Sequence, residues 1–586
     1  MNRQEKDILM TLADKPFVSQ RSLAESSGYS IGVVNQSLKN LVKEGFLSDD
    51  MQLTKKADHA LKEGKPQNAI ILAAGFGMRM VPINHEMPKA LVEVHGEPLI
   101  ERTIRMLREA GVHEIHLVAG FMKEQLEYLI DDFGADLIIN EEYAQKNSLH
   151  SLALAAQYID NTYIIPCDLW CEKNLFRERE LYSWYMVSDA CDPESRIRVN
   201  RKKELVKATG AQMGNQMVGI SYLTGETAQE VKKRLRVYDQ DPRYQNAFWE
   251  ETLYDADKMI LQARTVPETA VTEINTYEQL RELDEDSNNL RTDAIDIIMD
   301  VFDAGMRDIK DITILKKGMT NRSFLFTCKD RKYIMRIPGE GTDQLINRRE
   351  EAEVYQAIAD NDLCDSIVYI NPENGYKITE YYEDTRVCDP NNIEDLKLCM
   401  QKLKQFHGMN LKVSHTFPLF DRIEYYESLW DGTPSGYRDY GKTKENVFSL
   451  QPYIQEHADN MCLTHIDAVP DNFLFVKKGE QEELRLIDWE YAAMQDPHID
   501  IAMFCIYAMY DRAHVEQLID LYFEDQCPQE TRIKIYCYIA ACGLLWSNWC
   551  EYKRILGVEF GAYSLRQYRY AKEYYKIVKE ALEEEK

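Results

Sequence analysis

The chain has 586 residues, 45% of them hydrophobic, and a formal net charge of -28. That length exceeds one ordinary core and calls for about three domains, and the acidic balance excludes broad electrostatic attraction to nucleic acid or anionic lipid. Thirteen scattered cysteines without a C-x-x-C pair exclude a disulfide framework and a zinc site, and fit a reducing, cytoplasmic compartment. Arg3, Glu5, Lys6 and Asp7 precede any apolar run, which is not the pattern of a secretory signal. The longest apolar runs, near 501–510 and 535–546, fall short of the ~20 residues that span a bilayer, so no membrane insertion is expected.

Residues 1–65 read as three short helices and a wing. Ile8, Leu9 and Leu12 mark the first helix, Ser19 caps a second that Gly28 ends, and Ser30 caps a third carrying Val33, Val34, Leu38, Leu41 and Val42. Gly45-Phe46-Leu47 leads into a short strand, with Leu53-Thr54-Lys55-Lys56 as its return. The pattern resembles a winged helix-turn-helix, which implies DNA binding through Asn35, Gln36 and Lys39. Ten Lys/Arg against nine Asp/Glu is not the basic footprint of a DNA binder, so a protein-contact or regulatory module is the alternative.

From residue 66 to 290 strands and helices alternate. Ile70-Ile71-Leu72 reads as a buried strand opening at Leu72-Ala73-Ala74-Gly75 into a turn through Gly77, with Arg79 two residues on and Pro88-Lys89 beyond. Glycines let backbone N–H groups approach an anion, and Arg79 and Lys89 add positive charge for triphosphate oxygens. A helix over 99–111, a strand over 116–120, a helix over 124–132 and a strand over 137–140 follow. Such alternation implies a parallel sheet with ligands at the carboxyl ends of its strands. The strand Tyr163-Ile-Ile-Pro-Cys ends in Asp168, at that same edge.

The ordered set L-A-A-G-x-G-x-R, then P-K-A-L, resembles the nucleotidyltransferases that activate phosphorylated substrates with an NTP. The resemblance implies that Asp168 binds catalytic magnesium with Asn275 as second ligand, a neutral oxygen where relatives place Asp or Asn. It departs at Ile83-Asn84, where many relatives carry Thr two residues after the proline. The stretch 140–151 is similar to the segment of phosphocholine cytidylyltransferases that contacts base and acceptor, with Tyr143, Asn147 and Ser148 at the matching positions. Tyr182, Trp184, Tyr185, Trp249 and Glu250 cluster aromatics with a carboxylate, which suits a quaternary ammonium; any one ring alone reads rather as a core residue, and the clustering carries the argument.

The acidic stretch 283–289 reads as a linker to a third domain over 291–586. There the segments 312–315, 318–324 and 333–338 read as strands of a small antiparallel sheet. The turn holding Thr320 and Asn321 lies over nucleotide phosphates, and Arg336 stands where kinases place a phosphate-binding lysine, with Glu351 as its ion-pair partner. His465-x-Asp467, Asn472 and, sixteen residues on, Asp488 complete the set. Asp467 can accept the proton of an attacking hydroxyl, and Asn472 and Asp488 can hold magnesium on the phosphates. Glu490, Tyr491, Trp546, Trp549 and Tyr568 then resemble the aromatic and acidic cation pocket of choline kinases.

The expected fold class is multidomain α/β and α+β: a winged helix, a Rossmann-like nucleotidyltransferase and a protein-kinase-like bilobal domain. The resemblance to phosphocholine cytidylyltransferases and choline kinases implies a magnesium-dependent bifunctional enzyme. It would make phosphocholine from choline and ATP, then CDP-choline from phosphocholine and CTP, for decoration of a bacterial surface glycan or lipid. The alternatives are another amino alcohol or sugar phosphate on the same architecture, or a DNA-binding regulator with ligand-sensing domains.

Overall fold

A computed structural model describes the chain apart from residues 209–212, 317–320, 340–344, 460, 480, 557, 559 and 585–586. It divides into two compact units, Met1–Ile297 and Ile298–Lys586.

In the first unit, Asn2, Ser19 and Ser30 cap helices Arg3–Asp14, Gln20–Ser27 and Ile31–Lys43. The expected wing is reduced to one bridge, Leu47 to Leu53. Lys55 and Lys56 are not a return strand. The Thr54 side chain accepts the Ala57 N–H and starts a fourth helix, Lys55–Glu63. Val33 and Val42 are only half-buried, and the core of Ile8, Leu9, Val34, Leu38, Leu41 and Leu61 is completed from outside by Leu181 and Tyr182. The module is thus fastened to the nucleotidyltransferase-like layer, where Arg3 donates to the carbonyls of Lys203 (3.2 Å) and Ala263 (3.0 Å). Tyr182 donates its hydroxyl to Asp7 at 2.7 Å.

The central sheet runs in the order 136–139, 114–119, 68–73, 162–166, 214–223, 184–192, 258–266, 204–207, 197–199. Strand Asn68–Ala73 lies parallel between Glu114–Ala119 and Thr162–Pro166, so their carboxyl ends form one edge. These strands are buried on both faces, which explains their continuous apolar runs. The stretch read as a linker is clipped to this domain. Asp284 accepts the His95 N–H and Asn289 the Glu93 N–H, both at 2.6 Å, and Ser287 donates to the Glu93 carbonyl. Short polar side chains satisfy loop backbone here, so polarity alone is a poor sign of a free linker.

The second unit opens with an antiparallel sheet in the order 309–316, 321–328, 331–338, 377–380, 367–370. Helix Arg348–Ile358 follows its third strand. The larger lobe is helical, built on Ile393–Gly408, Gln529–Ile555 and Ala562–Glu584 around the buried helix His498–Tyr507. Two hairpin-like pairs, Phe473–Lys478 with Gln481–Leu486 and Cys462–Thr464 with Ala493–Gln495, carry the H-x-D loop and Asp488. Among the described residues no helix is long and apolar enough to cross a membrane.

Candidate functional site

In the first unit the glycine loop leaves strand Asn68–Ala73 at the shared carboxyl edge. Gly77 is left-handed, φ 58°, and a Cβ there would meet the Lys89 side chain at 3.3 Å, so glycine allows the loop to close on the lysine. Lys89 Nζ lies 2.5 Å from Asp168 Oδ2 and 2.7 Å from Asn275 Oδ1, and Arg79 donates to the same Asn275 oxygen at 2.8 Å. Four side chains from three distant stretches thus converge beside the loop. Asp168 Oδ1 is buried and has no partner among the described residues, a lone oxygen aimed where a cation would be welcome.

Tyr143 joins two rings the sequence reading missed. Phe76, the middle residue of G-x-G, lies 5.0 Å from both Phe121 and Tyr143, an aromatic wall across the ends of three neighbouring parallel strands. Asn147 and Ser148 tie this region to the next. Asn147 Nδ2 donates to the Asn246 carbonyl and Ser148 Oγ accepts the Trp249 N–H. Beyond them Tyr185 donates to Glu250 at 2.9 Å, with the Trp249 ring 6.1 Å from Tyr185. Burial, with the Glu251 and Glu273 charges, pushes the Glu250 carboxyl up to about 7 against the Tyr185 hydrogen bond.

Trp184 does not belong to this group. It points to the opposite face of the strand from Tyr185, fully buried, with its Nε1 on Glu180 (3.0 Å) and Arg264 stacked 3.8 Å above its ring. Register pairs it with Tyr222, level with the start of strand Thr162–Pro166 and away from Asp168. It is a core residue.

In the second unit Arg336 makes a two-pronged pair with Glu351, 2.5 and 2.9 Å, and donates to the Gly375 carbonyl. Burial alone would raise the Glu351 carboxyl, but Arg336, Lys377 and Arg348 hold it down at about 2. Arg348 and Lys377 were not foreseen; nothing local marks them. Thr320 lies outside the described residues, as does the Asn321 side chain, though Asn321 itself opens strand Asn321–Cys328.

Asn472 Nδ2 donates to the Asp467 carbonyl (2.9 Å) and carboxylate (3.2 Å), which leaves Asn472 Oδ1 without a hydrogen bond among the described residues. The Asp488 carboxylate likewise makes no hydrogen bond or ion pair among the described residues, and its φ of 67° turns the chain sharply after the strand. Burial and then the Asp488 charge push the Asp467 carboxyl up to about 7. His465 Nε2 donates to the Ile487 carbonyl (3.0 Å), a loop-bracing contact, and burial lowers its pKa.

The aromatic wall runs Tyr491, Trp546, Trp549, Phe560 and Tyr563, with successive centroids 6.1, 5.4, 5.0 and 6.4 Å apart. Tyr426, Tyr491 and Tyr563 lie close enough to Asp467 to sense its charge, which places the wall beside the candidate base. Two expected members face elsewhere. Glu490 lies 3.8 Å from Arg336 and 3.6 Å from Arg348, on the nucleotide side, because it and Tyr491 leave the turn in different directions. Tyr568 stacks on Tyr437 at 3.8 Å and donates to Asp439, a helix-to-helix brace.

Three family models match the chain: winged helix-turn-helix DNA-binding over residues 1–48, MobA-like NTP transferase domain over 69–178, and choline/ethanolamine kinase over 312–539. The choline-phosphate cytidylyltransferase of Haemophilus influenzae is 30% identical over 36% of this chain and 88% of its own length. That of Streptococcus pneumoniae is 29% identical over 37% of this chain and 96% of its own. The crystal structure of choline kinase LicA from Streptococcus pneumoniae aligns at 29% identity with a TM-score of 0.43, covering 48% of this chain and 98% of that one. The chain belongs to the choline-phosphate cytidylyltransferase family and carries, in the same polypeptide, a choline/ethanolamine kinase domain.

Proposed function

We propose that this is a bifunctional enzyme in which the product of one site is the substrate of the other. The second unit transfers the γ-phosphoryl of ATP to choline, and the first joins phosphocholine to CTP, giving CDP-choline and pyrophosphate. The observation that carries this reading is the pairing of two complete phosphate-handling constellations with aromatic walls in one chain. Lys89, Asp168 and Asn275 stand near the Phe76–Tyr143 wall, and Asp467, Asn472 and Asp488 stand near the Trp546–Trp549 wall. A trimethylammonium group has no N–H to donate, so ring faces are its best partners.

In the kinase reaction Asp467 accepts the choline hydroxyl proton as the oxygen attacks phosphorus, and Arg336, held by Glu351, orients the nucleotide phosphates. In the transferase reaction a phosphocholine oxygen attacks the α-phosphorus of CTP and pyrophosphate leaves. Arg79, Lys89 and the loop N–H groups neutralise the charge that accumulates. The oxygen donors fit magnesium, held by Asp168 in the first unit, with Asn275 joining only where its oxygen gives up the Lys89 or Arg79 hydrogen bond, and by Asn472 and Asp488 in the second. Bound magnesium would supply charge neutralisation and alignment of the phosphate oxygens.

A DNA role for residues 1–65 has little support. Asp49 and Asp50 sit exposed at the wing tip, where phosphate would be repelled, and a regulatory contact with the transferase fits the Arg3 and Tyr182 bonds better. All thirteen cysteines are unpaired, which supports a reducing cytoplasm. CDP-choline made here would serve phosphocholine transfer to a surface glycan or lipid. The test is purified protein with choline, ATP, CTP and magnesium: CDP-choline should accumulate. Turnover with ethanolamine or a sugar but not with choline would overturn the substrate assignment.

A further inference from the structure

Helix Leu419–Ser428 carries Arg422 and Tyr426 one turn apart on a single face, and none of the chemistry assigned above uses the arginine. The guanidinium is half-buried, 5.7 Å from the Phe417 ring centroid and 6.0 Å from that of Tyr425. Ring faces steady a cation without occupying its N–H groups. Among the described residues the Arg422 side chain makes no hydrogen bond and no ion pair, so its donors are uncommitted. A guanidinium is permanently charged, and its planar fork matches phosphate oxygens.

Arg422 lines a cavity of about 430 Å³ together with Asn347, Arg348 and Arg349. Three guanidinium groups there outnumber two carboxylates, Glu350 and Glu373. The other two cations are spent: Arg348 donates to Glu351 and Arg349 to Glu373, at 2.9 and 2.8 Å. Asn347 accepts the N–H groups of Arg349 and Glu350, so the start of helix Arg348–Ile358 is spent as well. Arg422 is what remains for an anion. On one side of the cavity Arg348 lies 3.6 Å from Glu490, which lies 3.8 Å from Arg336 of the nucleotide site. On the other, burial raises the Tyr426 hydroxyl, Arg422 draws it down and Asp467 pushes it up, so that ring stands within reach of both charges. The guanidinium is thus bracketed by the nucleotide phosphates and the base.

We propose that Arg422 is a catalytic residue of phosphoryl transfer, whose guanidinium grips the γ-phosphoryl oxygens as the group passes from ATP to choline. This rests on the kinase reading above. The choline oxygen forms its bond to the γ-phosphorus, the bond from that phosphorus to the bridging oxygen breaks, ADP leaves with the electron pair and Asp467 takes the hydroxyl proton. Arg422 forms no covalent bond; it donates to the oxygens of the group in flight. A cation on the transferring group stabilises the transition state without tightening ADP, so its loss costs rate more than nucleotide affinity.

The experiment measures choline phosphorylation by Arg422→Gln, Arg422→Lys and Arg422→Ala in the full-length chain, with ADP affinity by calorimetric titration. Arg422→Gln should lower kcat by about 10²-fold or more, with ADP affinity and KM for choline within about threefold. Arg422→Lys should lie between, because an ammonium restores the charge without the fork. Millimolar guanidinium chloride should raise the rate of Arg422→Ala and not that of the unmodified chain. A kcat for Arg422→Gln within about twofold of the unmodified chain overturns the proposal. So does a loss of rate matched by an equal loss of ADP affinity and unrelieved by guanidinium, which would mark a structural arm. If Arg422→Ala is insoluble, the kcat and ADP affinity of Arg422→Gln decide by themselves. Absence of choline phosphorylation in the unmodified chain would instead remove the kinase reading itself.

Discussion

The Lys89 ammonium stands 2.5 Å from the Asp168 carboxylate, while the other oxygen of that carboxylate is buried without a partner among the described residues. One oxygen is balanced by a fixed charge and the other is left for a cation, an arrangement that suits a site whose ligand brings both phosphate and metal. Replacing Lys89 by Ala should lower CDP-choline formation from added phosphocholine by about 10²–10³ in kcat, the scale of losing one transition-state donor. The magnesium concentration needed for half-maximal rate should fall, because Asp168 and Asn275 lose a competing cation. A magnesium titration of the variant checks both.

The buried pair Glu180–Arg264 gives a prediction about stability. Both bonds are 2.7 Å and Glu180 is fully buried. Arg264→Ala should destabilise the first unit by about 3–5 kcal/mol, because a buried carboxylate loses its charge partner and keeps only the Trp184 and Tyr163 donors; the double change Glu180→Leu with Arg264→Met should recover much of it. Urea unfolding followed by tryptophan fluorescence reads this directly, since Trp184 lies under the guanidinium.

The winged-helix module should behave as part of the transferase fold. Arg3→Ala removes two bonds to backbone carbonyls and should cost about 1–3 kcal/mol. Deleting residues 1–65 uncovers Leu181 and Tyr182 and should lower the unfolding temperature of the first unit, measured by calorimetry on the full chain and its truncation.

Glu250 predicts a pH dependence. Its carboxyl, raised from 4.5 to about 7, is protonated in the folded chain where the unfolded chain has already released the proton. Between those values the native state binds more protons, so this group makes stability fall as pH rises, with no further change above about 7. Ionised Glu250 is also the form that attracts a quaternary ammonium. KM for phosphocholine should therefore fall as pH rises through about 7, and Glu250→Gln should flatten both profiles.

Local motifs carried the chemistry in the sequence because their geometry is local. The glycine turn needs a left-handed Gly77, and H-x-D-x-x-x-x-N places Asn472 within reach of Asp467 through one short loop. What sequence could not rank was the direction of neighbouring side chains. Trp184 and Tyr185 are adjacent on a strand buried on both faces, so period-two alternation gives two sides but does not say which is the site. Glu490 and Tyr491 part in the same way. The clipping of 283–289 onto His95 and Glu93, and the use of Tyr182 to close the core of the N-terminal module, are long-range contacts with no local pattern. Thr54 looked like strand because its β-branched side chain fits either role, and only its bond to Ala57 decides for a cap.

The central claim, two separable sites working in sequence, is tested most directly by Asp467→Ala assayed with choline and, separately, with added phosphocholine. The account predicts no phosphocholine from choline and ATP, but undiminished CDP-choline from phosphocholine and CTP. Loss of both activities in a protein that remains folded, or retention of choline phosphorylation, would contradict it.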